Sequence, residues 1–313
     1  MRRWLFAPAP YFDLAVLRLV AVGTSLYKVL SLPDALAYLL EVGLPYRPMS
    51  LMRQIGFLFN DVAPTANLIY GVYGITVVAG VLAFVGLRTN LSLLLFALGN
   101  IFLQAYLYSF GDYHHPEAIM MIALLALAFS PCGHELSLDA RWRRKPLNPL
   151  LDSLSAQSTD RRSSEFAGWP IRLIQVFFCL MYLSAVISKH HVSGWGWANG
   201  FTLQAYLIQD GLRWGSPLAL WAAQFHTLIW LAQLVVLGFQ GTFWVTLIFP
   251  RTRWLYLPLG LVFHTIIYVT LQAPFWQWMV LYVVFIPLSQ VRDIFTGRRR
   301  LVDLFNLRPG ATA

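Results

Sequence analysis

Residues 66–110 read ANLIYGVYGITVVAGVLAFVGLRTNLSLLLFALGNIFLQAYLYSF. The stretch holds two apolar runs, at about 66–87 and 91–110, separated by a turn that contains Arg88. Each run has about the 20 residues that an α-helix needs to cross roughly 30 Å of hydrocarbon. A lipid-exposed backbone must satisfy its own amides, and these runs are too continuous for barrel strands. The stretch therefore predicts two membrane-spanning helices.

The same pattern recurs along the chain. Apolar blocks bounded by charge, Pro or Gly lie at about 11–31, 66–87, 91–110, 116–133, 170–189, 226–249, 252–271 and 274–291. We therefore predict an all-α, polytopic membrane helical bundle with about eight transmembrane helices. Only 12% of residues are charged and the mean hydropathy is +0.60, whereas soluble domains carry about 25% charged residues. This composition excludes an ordinary cytosolic enzyme, a disordered chain and a secreted disulfide scaffold.

The basic residues predict the orientation. When the N-terminus is placed in the cytoplasm, 16 of the 23 Lys and Arg residues fall on the cytoplasmic side, many of them at 141–145, 161–162 and 298–300. Cytoplasmic loops of membrane proteins carry such an excess. Both termini are therefore expected in the cytoplasm, and the bacterial inner (plasma) membrane is the expected location. The net charge of +9 is interpreted as a topology signal and not as a nucleic-acid-binding surface; membrane lipid is the expected partner.

One membrane domain accounts for nearly the whole chain. We assign it to residues 1–295, with a flexible cytoplasmic loop at 134–168 that is rich in Ser and charge. Residues 296–313 form a short basic cytoplasmic tail.

Two polar clusters interrupt the apolar pattern on the predicted outer side. The sequence GDYHHPEAIMM at 111–121 contains His114 and His115, and YLSAVISKHHVSGWGWANG at 182–200 contains Lys189 and His191. The predicted topology brings both clusters to one membrane face. Ionisable residues in apolar segments are costly and commonly mark functional sites. We therefore expect a small-molecule or peptide substrate at the outer face.

Four individual residues have alternative interpretations. An amine partly withdrawn from water becomes available as a general base, so Lys189 is a candidate base, although an interfacial anchor has the same pattern. His264, inside an apolar helix, is either a structural hydrogen-bonding group or a site residue. Arg18 either neutralises a buried partner or holds an anionic ligand group. Lys28 is expected to extend its ammonium toward the headgroups.

Several short motifs together resemble one membrane family. They are Leu17 to Gly23 with Arg18, the turn from Val85 to Thr89, His115 before the fourth helix, Tyr182 through Lys189, Trp197 through Gly200, and His264 in the seventh helix. This set resembles the HTTM membrane domain of vitamin K-dependent gamma-carboxylase-like proteins, over about residues 9–290.

The resemblance implies a reaction and its residues. It implies that Lys189 deprotonates a reduced, vitamin K-like quinone at the outer face, as part of a carboxylase-like lyase or a quinol-linked oxygenase. The catalytic residues would be Lys189, His115 and His264. The residues that would contact the cofactor are Arg18, His114, Tyr182, His191 and Trp197.

Two further functions fit the same sequence. A non-catalytic membrane accessory, such as an export, maturation or immunity partner, could use the same scaffold, since a fold does not decide function. A metal or redox site could use the histidines at 114–115 and 190–191, although no metal ligand set is assigned. The sequence also departs from the family, because Gln233 and Gln240 stand in the sixth helix, where HTTM sequences often carry an acidic residue.

Overall fold

The computed structural model describes residues 2–42, 44–59, 63–111, 117–143 and 163–298. Within these ranges the chain is mostly helical, and the strands are Ala9–Pro10 and Ser163–Ser164, paired antiparallel. The predicted all-α class is therefore confirmed. Part of the predicted loop, most of the predicted basic tail, and both His114 and His115 lie outside the described residues.

Five helical stretches are long and apolar enough to cross a membrane. They are Tyr11–Glu41, Ala66–Val85, Thr89–Tyr108, Glu165–Asn199 and Pro250–Leu271. The first comprises helices Tyr11–Leu30 and Pro33–Glu41; the fourth comprises helix Glu165–Ser193 and the 3₁₀ helix Gly194–Asn199; the last comprises the 3₁₀ helix Pro250–Thr252 and helix Arg253–Leu271. Their length and composition are those of an integral membrane protein.

The other three predicted segments form shorter or bent helices. They correspond to Ala118–Ala128, to His226–Thr242 followed by Val245–Ile248, and to Trp276–Leu281 followed by the 3₁₀ helix Tyr282–Phe285 and by Leu288–Phe295. In the last of these segments, Trp276–Phe285 and Leu288–Phe295 are bent by 76° relative to each other. The bend lies at Pro287, which has no backbone N–H to continue a helix. The remaining short elements are Arg2–Leu5, Ser50–Gln54, the 3₁₀ helix Gly56–Phe59, Leu138–Arg143, Phe201–Trp214 and Pro217–Ala222.

The chain divides into two compact units. One contains Met1–Leu173 together with Pro287–Arg292, and the other contains Ile174–Ile286 together with the described residues 293–298. The first unit is discontinuous in sequence. Its late segment reaches the beginning of the first long helix, where the Ser289 backbone N–H donates to Asp13 Oδ1 at 2.6 Å.

Arg18 organises the centre of the first unit. Its side chain is fully buried, and its two terminal nitrogens donate to Ala83 O at 3.0 Å and Leu136 O at 2.5 Å. Leu136 has a positive φ of 49°, which is uncommon for a residue other than glycine. One guanidinium therefore joins the first long helix, the end of helix Ala66–Val85 and the backbone at Leu136.

Lys28 is ion-paired, which the sequence did not predict. Its Nζ lies 3.6 Å from Glu117 Oε1, and Tyr108 Oη donates to Glu117 Oε2 at 2.7 Å. The lysine and the glutamate are far apart in sequence, so no local pattern marks the pair. A carboxylate within reach explains why this cation is accepted near the end of an apolar helix.

Small residues allow the first unit's long helices to approach closely. A Cβ added at Gly99 would collide with the Thr76 side chain, and one at Gly80 would lie 2.8 Å from the Phe96 ring. Such close backbone approach is typical of helix pairs in membranes. Gly74, on the same helix as Thr76, has no neighbour near an added Cβ.

We expect Gly99→Leu to lower the free energy of unfolding by about 3 kcal/mol, because overpacking forces Thr76 and its helix to move. Thermal unfolding of the detergent-purified protein measures the effect. Gly74→Leu is the matched control and should leave the melting temperature unchanged or higher, since leucine favours helix over glycine. Equal melting of the two variants would contradict this close packing at Gly99.

Candidate functional site

A buried chain of hydrogen bonds lies within the second unit. Tyr182, on helix Glu165–Ser193, bonds through Oη to His264 Nε2 at 2.7 Å and to Tyr282 Oη at 2.5 Å. The three side chains come from three separate helical segments and are each at most 3% exposed. Polar groups this deeply buried are stable only when they are hydrogen-bonded. This chain of hydrogen bonds therefore holds three helical segments of the unit together at one point.

Aromatic rings surround this chain. The rings packed against its members include Phe178, Phe239, Phe243, Phe263, Phe275 and Trp278. Two buried nitrogens of the cluster, His264 Nδ1 and Trp278 Nε1, have no hydrogen-bond partner among the described residues. An unsatisfied buried polar atom costs about 1–3 kcal/mol. Each of these nitrogens could therefore make one more hydrogen bond: the Trp278 N–H can only donate, and His264 Nδ1 donates or accepts according to its tautomer.

Lys189 lies on the same helix in a different environment. Its ammonium donates to Ala185 O and to Gln240 Oε1, both at 3.2 Å, and lies 5.2 Å from the ring centroid of Trp197. That distance is within the range of a cation–π interaction. Its side chain is half-buried, and among the described residues no carboxylate lies within 4 Å of it. The amine is therefore held by neutral oxygens and an aromatic face.

Gln233 fixes the turn that presents Trp197. Its Oε1 accepts from the Gly200 backbone N–H at 2.7 Å, and its Nε2 donates to the Trp197 backbone O. The side chain is fully buried. Gly200 has φ of +85°, and an added Cβ would lie 2.7 Å from the His226 ring, so a larger residue is excluded there. The amide thus clamps both ends of a four-residue turn.

Tyr182 and Lys189 occupy neighbouring positions on one helix face. They are seven residues apart, which is nearly two turns and a rise of about 10 Å. Both contact helix His226–Thr242: the ring of Tyr182 packs against Phe239, and Lys189 bonds Gln240. A single face of helix Glu165–Ser193 therefore carries a buried hydrogen-bond chain and a half-buried amine.

The structure brings together some of the predicted site residues and separates others. Tyr182 and His264 are hydrogen-bonded, and Lys189 contacts Trp197. His191 is exposed and makes none of these contacts. Arg18 belongs to the other compact unit, where two backbone carbonyls occupy it. The predicted contributions of His114 and His115 lie outside the described residues.

The described residues contain no group of three or more His, Cys, Asp or Glu side chains that could hold a metal ion. His190 packs against the edge of the Trp195 ring, with 5.3 Å between the ring centroids. The histidine-based metal or redox hypothesis stays a prediction, because half of its ligands lie outside the described ranges.

Sequence reasoning missed three residues of this region. Tyr282 completes the hydrogen-bond chain, Gln233 clamps the turn, and Gln240 binds the lysine. The two glutamines could have been found as polar residues seven apart in an otherwise apolar helix, which places them on one face. Tyr282 gave no comparable signal, because tyrosines are common in membrane helices.

Comparison with protein-family models, curated proteins and solved structures finds no match to this chain.

Proposed function

We propose that this protein is an integral membrane enzyme with an HTTM-like domain, acting on a reduced quinone or a similar lipid-soluble phenol with Lys189 as its base. The observation that carries the proposal is the environment of Lys189. Neutral oxygens and an aromatic face hold its amine, and no described carboxylate competes for its charge. A carboxylate partner would hold the lysine in its protonated form more strongly than these neutral contacts do, so the unprotonated amine that a base needs is more accessible here.

The residues present fit an aromatic, hydroxyl-bearing ligand. Such a group would supply an ionisable hydroxyl and reducing equivalents. The face of Trp197 offers a surface for stacking, and the Lys189 amine would bind the hydroxyl and accept its proton. Gln240 keeps the amine in place through a hydrogen bond that it can make in either protonation state.

The buried hydrogen bonds among Tyr182, His264 and Tyr282 help to position the Lys189 amine. They fix the helix that carries Lys189 to helix Arg253–Leu271 and to the 3₁₀ helix Tyr282–Phe285, while the Tyr182 ring packs against Phe239 of helix His226–Thr242. These contacts limit the places the amine can occupy. Catalytic groups need such restraint, because a displacement of about 1 Å can cost a hundredfold in rate. We assign His264 and Tyr182 to this supporting task, with the free nitrogen of His264 as a further hydrogen-bonding position for the ligand.

The proposed orientation follows from the basic residues. We propose eight membrane crossings with both termini in the cytoplasm, which places Lys189 at the outer face of a bacterial inner membrane. The support is the charge asymmetry of the sequence. A lyase of carboxylase-like type or a quinol-linked oxygenase would both use a base at this position.

Binding of a naphthoquinol tests the proposal. The purified protein is titrated with menadiol under anaerobic conditions, and separately with oxidised menadione, by calorimetry in nanodiscs. We expect the wild-type protein to bind menadiol, and Lys189→Met to weaken that binding by about tenfold or more, since a charge-assisted hydrogen bond is lost. The binding of menadione, which has no hydroxyl to donate, should be weakened less by Lys189→Met.

Ser188→Ala is the matched control, because Ser188 is the exposed neighbour of the lysine; it should bind menadiol like the wild type. Lys189→Met binding with unchanged affinity would contradict the assignment of the base. Absence of menadiol binding to the wild-type protein beyond partition into the lipid would favour the non-catalytic accessory.

A further inference from the structure

A groove in the first unit, remote in sequence from Lys189, has the composition of a headgroup site. It has a volume of about 420 Å³ and is lined by Phe12, Glu135, Leu136, Ser137, Ala140, Arg141 and Arg292, all of which belong to the same compact unit. Two arginines and one glutamate therefore share one small space. This volume is in the range of small-molecule sites.

The backbone of the groove is held firmly. Arg18 binds Leu136 O, Ser137 Oγ donates to Gly133 O at 2.7 Å, and Ala140 N donates to Ser137 Oγ at 2.9 Å. Asp139 also binds the backbone N–H groups of Arg88 and Thr89. The segment that carries Glu135 and Arg141 is thus fixed before any ligand arrives.

Both arginines bring a guanidinium group to the lining of the groove, and Arg292 also has contacts of its own within the first unit. The Arg292 guanidinium lies 4.2 Å from the centroid of the Phe12 ring, and this stacking fixes its plane. The Arg141 side chain is exposed and has no hydrogen-bond or ion-pair partner in the part of the chain that the structure describes. Planar guanidinium groups bind phosphate oxygens through paired N–H donors.

Neighbouring apolar side chains place the groove at a membrane surface. Leu136 is 48% exposed and Trp142 is 54% exposed, beside the charged residues. Exposed tryptophan next to arginine is typical of the interface between headgroups and hydrocarbon. A ligand with acyl chains would cover these side chains, whereas free phosphate would leave them in water.

We propose that this groove binds the headgroup of an aminophospholipid, with its phosphate on Arg141 and Arg292 and its ammonium on Glu135. The carboxylate in the lining favours a headgroup that carries an N–H donor beside the phosphate. Phosphatidylethanolamine has this chemistry. Phosphatidylglycerol lacks the ammonium, and the quaternary ammonium of phosphatidylcholine has no N–H to donate. The inference does not depend on the proposed function.

Native mass spectrometry of the detergent-purified full chain tests it, with phosphatidylethanolamine, phosphatidylglycerol, phosphatidylcholine and inorganic phosphate as probes. We expect one phosphatidylethanolamine to bind about tenfold more tightly than phosphatidylcholine. Arg141→Ala should lower the affinity for phosphatidylethanolamine and for phosphatidylglycerol by about tenfold, the expected loss for one charge-assisted phosphate contact. Glu135→Gln should weaken the binding of phosphatidylethanolamine and leave the binding of the other lipids unchanged.

The matched control is Arg298→Ala, which removes the same charge from an exposed residue outside the groove and should change nothing. Arg141 is exposed, so its variant tests binding and not folding. Unchanged lipid binding in Arg141→Ala would overturn the proposal. Equal binding of phosphatidylethanolamine and phosphatidylglycerol, with a silent Glu135→Gln, would overturn the ammonium assignment, and displacement by inorganic phosphate at equal concentration would overturn the lipid assignment.

Discussion

Arg18→Met is expected to lower the free energy of unfolding by about 2–5 kcal/mol. The substitution keeps much of the length of the side chain but removes both donors that satisfy Ala83 O and Leu136 O. The buried carbonyl of Ala83, left without this partner, costs about 1–3 kcal/mol, and the part-buried carbonyl of Leu136 adds to that loss. Leu136 would also lose the contact that holds its left-handed backbone. The apparent melting temperature in detergent should fall by about 5–15 °C.

The matched substitution is Arg213→Met. Arg213 is exposed and stacks on the neighbouring Trp214 ring, so its removal should shift the melting temperature little. Arg18→Lys should lie between the wild type and Arg18→Met, because one ammonium cannot span two carbonyls as a guanidinium does. If the Arg18→Met variant melts like the wild type, water or lipid replaces the guanidinium without cost and the structural role given to it is wrong.

Tyr182→Phe, in the second unit, should lower the free energy of unfolding by a similar amount, about 2–5 kcal/mol. The substitution deletes a single oxygen and leaves the ring packing intact. Tyr282 Oη and His264 Nε2 nevertheless both lose their hydrogen bond to Tyr182. Both atoms lie in a buried aromatic cluster, where a polar atom that loses its hydrogen bond is costly. The melting temperature of the variant, measured against the wild type in the same detergent, gives the effect.

Tyr256→Phe provides the comparison. The Tyr256 hydroxyl donates to Thr242 Oγ1 at the surface of the same unit, where solvent can replace it, so the loss should be about 0.5 kcal/mol. Adding Tyr282→Phe to Tyr182→Phe should cost less than the sum of the two single variants, since the second change removes an already stranded hydroxyl. Strict additivity of the two would contradict a shared hydrogen-bond chain.

Periodicity and length were enough to predict the helical class. The segments around 66–87 and 91–110 became helices Ala66–Val85 and Thr89–Tyr108, because a long apolar run has few alternatives in a bilayer. The segments with internal glycine or proline were less predictable. At Pro287 the helix bends sharply, and hydropathy averaged over a window does not register such a break.

The polar contacts were harder to predict than the helices. The sequence identified Tyr182, Lys189 and Trp197, which are close along one segment. It gave no indication that Lys28 pairs with Glu117 or that Tyr282 meets Tyr182. Those pairs depend on how distant helices pack, and local spacing carries no information about it. The sequence shows Gln233 and Gln240 as departures from a family pattern, but it does not indicate that they bind the Gly200 turn and Lys189.

The bond between Ser289 and Asp13 has a consequence for how the protein is made. The two residues are separated by 276 positions, so the start of the first long helix meets this partner only after 276 further residues have been synthesised. At about 5–20 residues per second, the wait is roughly 14–55 s. During that interval Asp13 and Phe12 lack the contacts that Ser289 and Arg292 later supply. One end of this helix therefore acquires its backbone partner long after the helix itself has been synthesised.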